Sequence, residues 1–235
     1  MNSDVNLFGI EDGLNTSYIE TLFIALFYTP SSIYYNMLDI IPKNINFIYF
    51  QEMIKINFIE PLRKNISIQN NIINEIRNFC FLNGWLMETP QKILMDQDIT
   101  KYLNFIVKNI DDDFTKTIEL KITNDIDTKI LLEKWNEENI MKIEHNILMA
   151  PIYLNRVDNK NHSVDIKKKI KIKENIKLEI HSIICHNTKY YCIFINNNKW
   201  YIFENCKIPC IRKIDIKEMA DKIKSEAILL IYKMN

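Results

Sequence analysis

The run Asn15-Thr16-Ser17-Tyr18-Ile19-Glu20-Thr21-Leu22-Phe23-Ile24-Ala25-Leu26-Phe27-Tyr28 sets Ile19, Leu22, Phe23, Leu26 and Phe27 three and four residues apart. That is the period of one helix face, and Asn15 and Thr16 just before it are helix-capping types. The run therefore predicts a buried helix from Ser17 to Tyr28. Further helices are expected over Gln51–Arg63 and Ile68–Leu82. Another spans about Asp98 to Val107, where Ile99, Tyr102, Leu103 and Ile106 share a face.

Beyond Asp111, Asp112 and Asp113 the period changes. Ile118, Leu120 and Ile122 alternate with Glu119 and Lys121, the pattern of a half-buried strand. From Ile166 to His186 the residues Ile170, Ile172, Ile176, Leu178 and Ile180 alternate with polar positions, mostly lysines. Tyr190–Ile195 and Lys199–Phe203 flank Asn196, Asn197 and Asn198, which predicts a hairpin. A last strand is expected over Ala227–Tyr232. Helices first and an antiparallel sheet second describe an α+β chain. The triple Asp and the run Lys167, Lys168 and Lys169 are expected to be solvated strand ends.

With 235 residues the chain is long enough to bury a core without metal or disulfide support. Hydrophobic residues at 47% and charged ones at 26% exclude a disordered tail and a membrane bundle. Thirty basic residues balance thirty acidic ones, so nucleic acid is not the default partner and no bulk charge draws the chain to anionic lipid. About one residue in five is Ile and about one in eight is Asn, which fits an AT-rich genome such as that of a large DNA virus or some protists. The odd set Cys80, Cys185, Cys192, Cys206 and Cys210 reads as a reducing compartment. No basic leader precedes Asp12 and no apolar run approaches about 18 residues, so a soluble, cytoplasmic protein is expected.

Three segments resemble the signature boxes of the ubiquitin-specific proteases. Gly9-Ile10-Glu11-Asp12-Gly13-Leu14-Asn15-Thr16-Ser17-Tyr18 is similar to the nucleophile box GLxNLGNTCY. Asp96-Gln97-Asp98-Ile99-Thr100-Lys101-Tyr102-Leu103 resembles the QQDAxEFL helix. The tail from Leu178 through Tyr190, Tyr191, Trp200, Tyr201, Phe203 and Glu204 to Tyr232 resembles the terminal box HxG…GHYxAYV…WYxFDD…AYxLxY, with His186 at the non-catalytic His of HxG. The boxes occur in the family's order and span nearly the whole chain. The resemblance implies one papain-like domain over residues 1–235, with a helical thumb to about 110 and a β-rich palm from about 111. Ubiquitin's C-terminal tail would thread between them. The family's zinc-bearing fingers need paired CxxC motifs, which are absent, so a metal-free and cofactor-free version is implied. Cys206 and Cys210 with His181 and His186 can be drawn as a zinc site, but their spacing matches no standard ligand pattern.

The family's chemistry needs a thiolate at a helix N-terminus, a His base, an Asp or Asn that orients it, and an oxyanion donor. Ser17 stands at the nucleophile position, Tyr190 at the base, Glu204 with Asn205 beside it at the orienter, and Asp12 at the oxyanion donor. Loss of one oxyanion donor alone typically lowers the rate by about 10²–10³. The resemblance also points to tail binding by Gln97, Asp98 and Tyr102, with Lys101 where the family keeps an acid that holds the tail's arginines.

Three readings follow. One is a catalytically inactive relative that binds ubiquitin or another protein, such as a viral capsid or host factor. The second is an active hydrolase that uses Ser17 with His186 or His181 as base. The third is a structural virion component. Cys185 beside His186 makes no dyad, because adjacent strand residues point to opposite faces; Cys185 and Cys192 read as small core residues. Tyr190, Tyr191, Trp200 and Tyr201 form either an aromatic contact face or one side of a core.

Overall fold

The computed structural model describes residues 8–11, 13–111, 117–138, 149–156, 162–173, 176–205 and 207–234. Asp12, Asp112, Asp113 and Cys206 lie outside them, as do the side chains of 136–138, 172, 173 and 176.

The first helix, α1 (Ser17–Phe27), follows the spacing of its apolar residues, and all eleven of its residues are buried. A helix buried on every side, with Ser17, Glu20 and Thr21 among its buried residues, lies at the centre of the protein. Around it stand α2 (Ser32–Leu38), α3 (Phe47–Met53), α4 (Glu60–Arg63), α5 (Asn70–Leu82) and α6 (Ile99–Ile110). A π-helical turn, Ile54–Ile59, joins α3 to α4. Pro61 follows it and has no N–H for the carbonyl four residues back, so a wider turn before it accommodates the proline ring. Ile68 is not helical. It bridges to Ile10, and this pairing fastens the segment leading to α1.

The second half contains β1 (Ile118–Ile122), β2 (Ile126–Asp127), α7 (Thr128–Glu138), β3 (Met149–Arg156), β4 (Val164–Asp165), β5 (Lys169–Lys173) and β6 (Ile176–His186). It ends with β7 (Tyr190–Asn196), β8 (Lys199–Phe203), β9 (Ile211–Lys213), α8 (Ala220–Glu226) and β10 (Ala227–Met234). The main sheet runs β1-β3-β10-β6-β7-β8-β9, with β5 also on β6, while β2 and β4 form a separate parallel pair. The expected antiparallel sheet holds for every pairing of the main sheet but one: β1 joins β3 in parallel. The sheet is therefore mixed. The predicted hairpin forms, and Asn197 and Asn198 take positive φ of 49° and 60°, conformations asparagine tolerates well.

The sheet has two covered faces. Cys192, Phe194, Phe203, Leu229 and Ile231 pack toward the helices in one core cluster. Tyr191, Ile193, Ile202, Leu230 and Tyr232 pack outward in a second cluster with Leu132 and Ile223. The period-two alternation is thus the alternation between these clusters. Among the described residues no helix is long and apolar enough to cross a membrane.

Candidate functional site

Ser17 opens α1 and is nearly buried. The loop before it is held in place from both sides. Arg77 Nη1 donates to the Leu14 carbonyl at 2.8 Å, and Asn15 Nδ2 donates to the Leu94 carbonyl at 2.9 Å. Gly13 allows the close approach: a Cβ there would lie 2.5 Å from Thr16 Oγ1 and 2.7 Å from Asn70 Oδ1. Thr16 Oγ1 donates to the buried Glu20 at 2.6 Å. At the mouth of this helix end lies a pocket of about 260 Å³, walled by residues 13–17, Asp96, Thr188 and Lys189.

Tyr190 and Glu204, expected at the base and orienter positions, lie together on the palm beside it. The β7–β8 register ends with Cys192 opposite Phe203, which puts Tyr190 and Tyr191 at the same end of the hairpin as Glu204 and Asn205. Tyr190, Glu204 and Asn205 line a second recess of about 390 Å³ with Lys207 and Lys222. The turn at Thr188 and Lys189 borders both pockets. Site residues far apart in sequence are thus gathered at one thumb–palm junction.

Their bonds there are structural. The Tyr190 hydroxyl donates to the Gln97 carbonyl at 3.1 Å, and its ring packs tilted against His186 with centroids 4.5 Å apart. Burial, followed by the charge of Asp96, pushes the Tyr190 phenol up to about 12. Glu204 is ion-paired to Arg212, with the Lys222 ammonium 4.0 Å away. Burial also raises the Asp96 carboxyl, opposed by the neighbouring His186. Among the described residues no hydrogen bond joins Ser17 to an imidazole. His181 lies elsewhere, with Nε2 3.3 Å from the Leu26 carbonyl near the far end of α1.

The residues expected to hold a tail divide three ways. Gln97 Nε2 donates to the carbonyls of Lys92 at 2.6 Å and Met95 at 3.0 Å, shaping the turn before α6. Asp98 caps α6, its Oδ1 accepting from the Thr100 and Lys101 amides at 2.8 and 3.3 Å. Lys101 is exposed. Tyr102 is a correction: it is fully buried, edge-on to Tyr18 at 5.1 Å and bonded to Cys80 Sγ at 3.3 Å, so it presents no surface to a ligand. Its place on the buried face of α6 follows from the same spacing as Ile99, Leu103 and Ile106.

The four aromatic hairpin residues also separate. Tyr190 and Tyr201 pack toward the helices, while Tyr191 and Trp200 pack toward the outer cluster, so they form no single face. Cys185 and Cys192 are fully buried. The Asp12 position and one member of the drawn zinc set, Cys206, lie outside the described residues. Among those described, no group of three or more His, Cys, Asp or Glu residues could hold a metal. Two residues that no motif role marks also border these pockets or their residues: Asp96, inside the helix box, and Arg212, the ion-pair partner of Glu204.

No protein-family model and no curated protein sequence matches the chain. Solved structures do. One, of the yeast SAGA DUBm with an Sgf73 mutant, aligns with a TM-score of 0.55 at 13% identity, over all of this chain and 70% of that one. Another is the Saccharomyces cerevisiae apo Pan2 pseudoubiquitin hydrolase-RNA exonuclease module in complex with AAUUAA RNA. It aligns with a TM-score of 0.63 at 11% identity, over 99% of this chain and 54% of that one, so the present chain spans about half its length. The chain has a mixed α+β, ubiquitin-hydrolase-like fold.

Proposed function

We propose that this protein is a non-catalytic ubiquitin-hydrolase-like protein that acts by binding a protein partner, either ubiquitin or a viral or host component. The observation that carries the reading is the state of Tyr190. A phenol raised to about 12 stays protonated at neutral pH, and its proton is donated to the Gln97 carbonyl. It therefore has no role as an acceptor for a proton from Ser17, and a Ser hydroxyl without a base is a poor nucleophile. Glu204 supports the same reading, because its carboxylate neutralises Arg212 rather than orienting a base. One structural neighbour is itself named a pseudoubiquitin hydrolase.

The test is hydrolysis of a ubiquitin–fluorophore substrate, run beside an NMR titration of labelled ubiquitin. The expected result is no turnover above buffer for either the native chain or Ser17→Ala. Steady turnover abolished by Ser17→Ala overturns the proposal. In the titration, shifts on the ubiquitin tail and hydrophobic patch identify ubiquitin as the partner, and their absence directs the search to another protein. An active-enzyme reading draws on one observation, the place of His186 against Tyr190 at the edge of the recess, with ring centroids 4.5 Å apart. It requires that turnover be lost in His186→Ala as well.

A further inference from the structure

On the outer face of the palm, away from the thumb, lies a concavity of about 220 Å³. Ile180 and Ile183 of β6 form its floor, with Trp200 of β8 and Ile216, Ala220 and Ile223 around it. Ile180 and Ile183 are almost fully buried, while Trp200 and Ile216 remain half-exposed. An apolar cavity of about 150 Å³ accepts benzene. By volume, this one accommodates an apolar body of roughly eight to ten carbons.

The rim carries the opposite chemistry. Lys168, Lys217 and Lys224 stand around the opening, with Asp165 as the single acid. The Asp165 charge is already countered, by Lys167 Nζ at 2.6 Å and Lys224 Nζ at 3.7 Å. Lys168 and Lys217 are exposed. An apolar hollow alone would take any hydrocarbon of the right size; a cationic rim whose one acid among the described residues is already ion-paired favours one that ends in an anion.

We propose that this pocket binds a medium-chain amphiphile with one anionic head, its chain on Ile180, Ile183 and Trp200 and its head at Lys168 and Lys217. The site is on the opposite face of the sheet from the thumb–palm junction and does not depend on the fate of the ubiquitin reading.

The test is calorimetric titration of the full chain with sodium decanoate below its micellar concentration, with tryptophan emission followed in parallel. Saturable binding is expected, together with an emission change that disappears in Trp200→Phe, because Trp85 and Trp135 lie elsewhere. The paired charge reversal Lys168→Glu, Lys217→Glu alters only exposed side chains, and its fold is checked by circular dichroism. It should raise Kd about tenfold or more. Decyltrimethylammonium, with an equal chain and the opposite charge, should bind at least about tenfold more weakly than decanoate. The proposal is overturned by absence of saturable decanoate binding, by equal affinity for the cationic amphiphile, or by an affinity that the lysine reversal leaves unchanged.

Discussion

His181 shows how one side chain's environment settles between readings that its identity leaves open. As a residue type it suits a base for Ser17 or a zinc ligand; in the structure it is buried between β6 and α1, with Nε2 at the Leu26 carbonyl. Burial dominates and holds its pKa down at about 4, with the nearby Lys233 adding to the effect. The imidazole is therefore neutral in the folded chain at pH 5, where an unfolded histidine is mostly charged. Between about pH 6.5 and about 4 the unfolded state binds more protons, so stability rises with pH. The contribution is fully present above the unfolded value and is lost as pH falls toward the folded one. Between pH 7.5 and pH 5 it amounts to about 2 kcal/mol. Urea unfolding of the native chain and of His181→Gln, which keeps a donor for the Leu26 carbonyl, measures it: the native chain should lose about that much more stability than the variant. Equal losses would show that the ring is accessible to protons in the fold.

At the scale of elements, α1 depends on how its end is closed. Its last carbonyls have no partner within the helix. Arg63 supplies one, with Nε donating to the Tyr28 carbonyl at 2.8 Å and Nη2 to the Phe27 carbonyl at 2.6 Å, while its guanidinium lies 4.6 Å over the Tyr34 ring. A planar fork spans two carbonyls at once, and a lysine ammonium is a point donor. Arg63→Met, which keeps the apolar stem, should therefore destabilise the chain by about 2 kcal/mol in chemical denaturation. Arg63→Lys should recover less than half of that; full recovery by lysine would reduce the effect to charge alone. The helix itself was legible in the sequence because its apolar spacing is unbroken, and so was the Tyr190–Phe203 hairpin, through its asparagine turn. β3 was not, because Pro151 argues against a strand with neighbours on both edges. The register explains the exception: β1 first pairs β3 at Ile152, one residue beyond the proline. The parallel direction of β1 was equally hidden, since period two reports which face is buried and not which way the neighbour runs. The resemblance marked out Ser17, Tyr190 and Glu204, and the structure sets all three around two adjoining pockets. That Tyr190 bonds to Gln97 was not legible, because 93 residues separate them and only the tertiary fold brings them together; the Glu204–Arg212 pair was hidden because β9 carries no strand signal that would set its register on β8.

For the whole molecule the question is whether thumb and palm unfold together. One core cluster contains residues of both, from Phe23 and Phe50 to Phe194 and Leu229. Polar ties reinforce the junction: Thr29 Oγ1 donates to the Ile195 carbonyl at 2.9 Å, and the Cys210 amide donates to the Phe8 carbonyl at 3.1 Å. Phe8 and Gly9 serve both halves, because the Ile68 amide donates to the Gly9 carbonyl at 3.0 Å. A shared core with short crossing bonds predicts one cooperative transition. The cysteines report it by position, since Cys80 lies in the thumb and Cys185, Cys192 and Cys210 in the palm, all four buried as free thiols. Burial raises each of them, Cys80 and Cys185 to about 12, so in the folded chain they are both shielded and protonated at pH 8. Pulse alkylation across a urea series, read by mass spectrometry at each cysteine, should leave these four unlabelled in buffer. All four should then become labelled at a single midpoint. If Cys80 is labelled at a lower urea concentration than the palm thiols, the thumb melts on its own and the shared core does not couple the two halves.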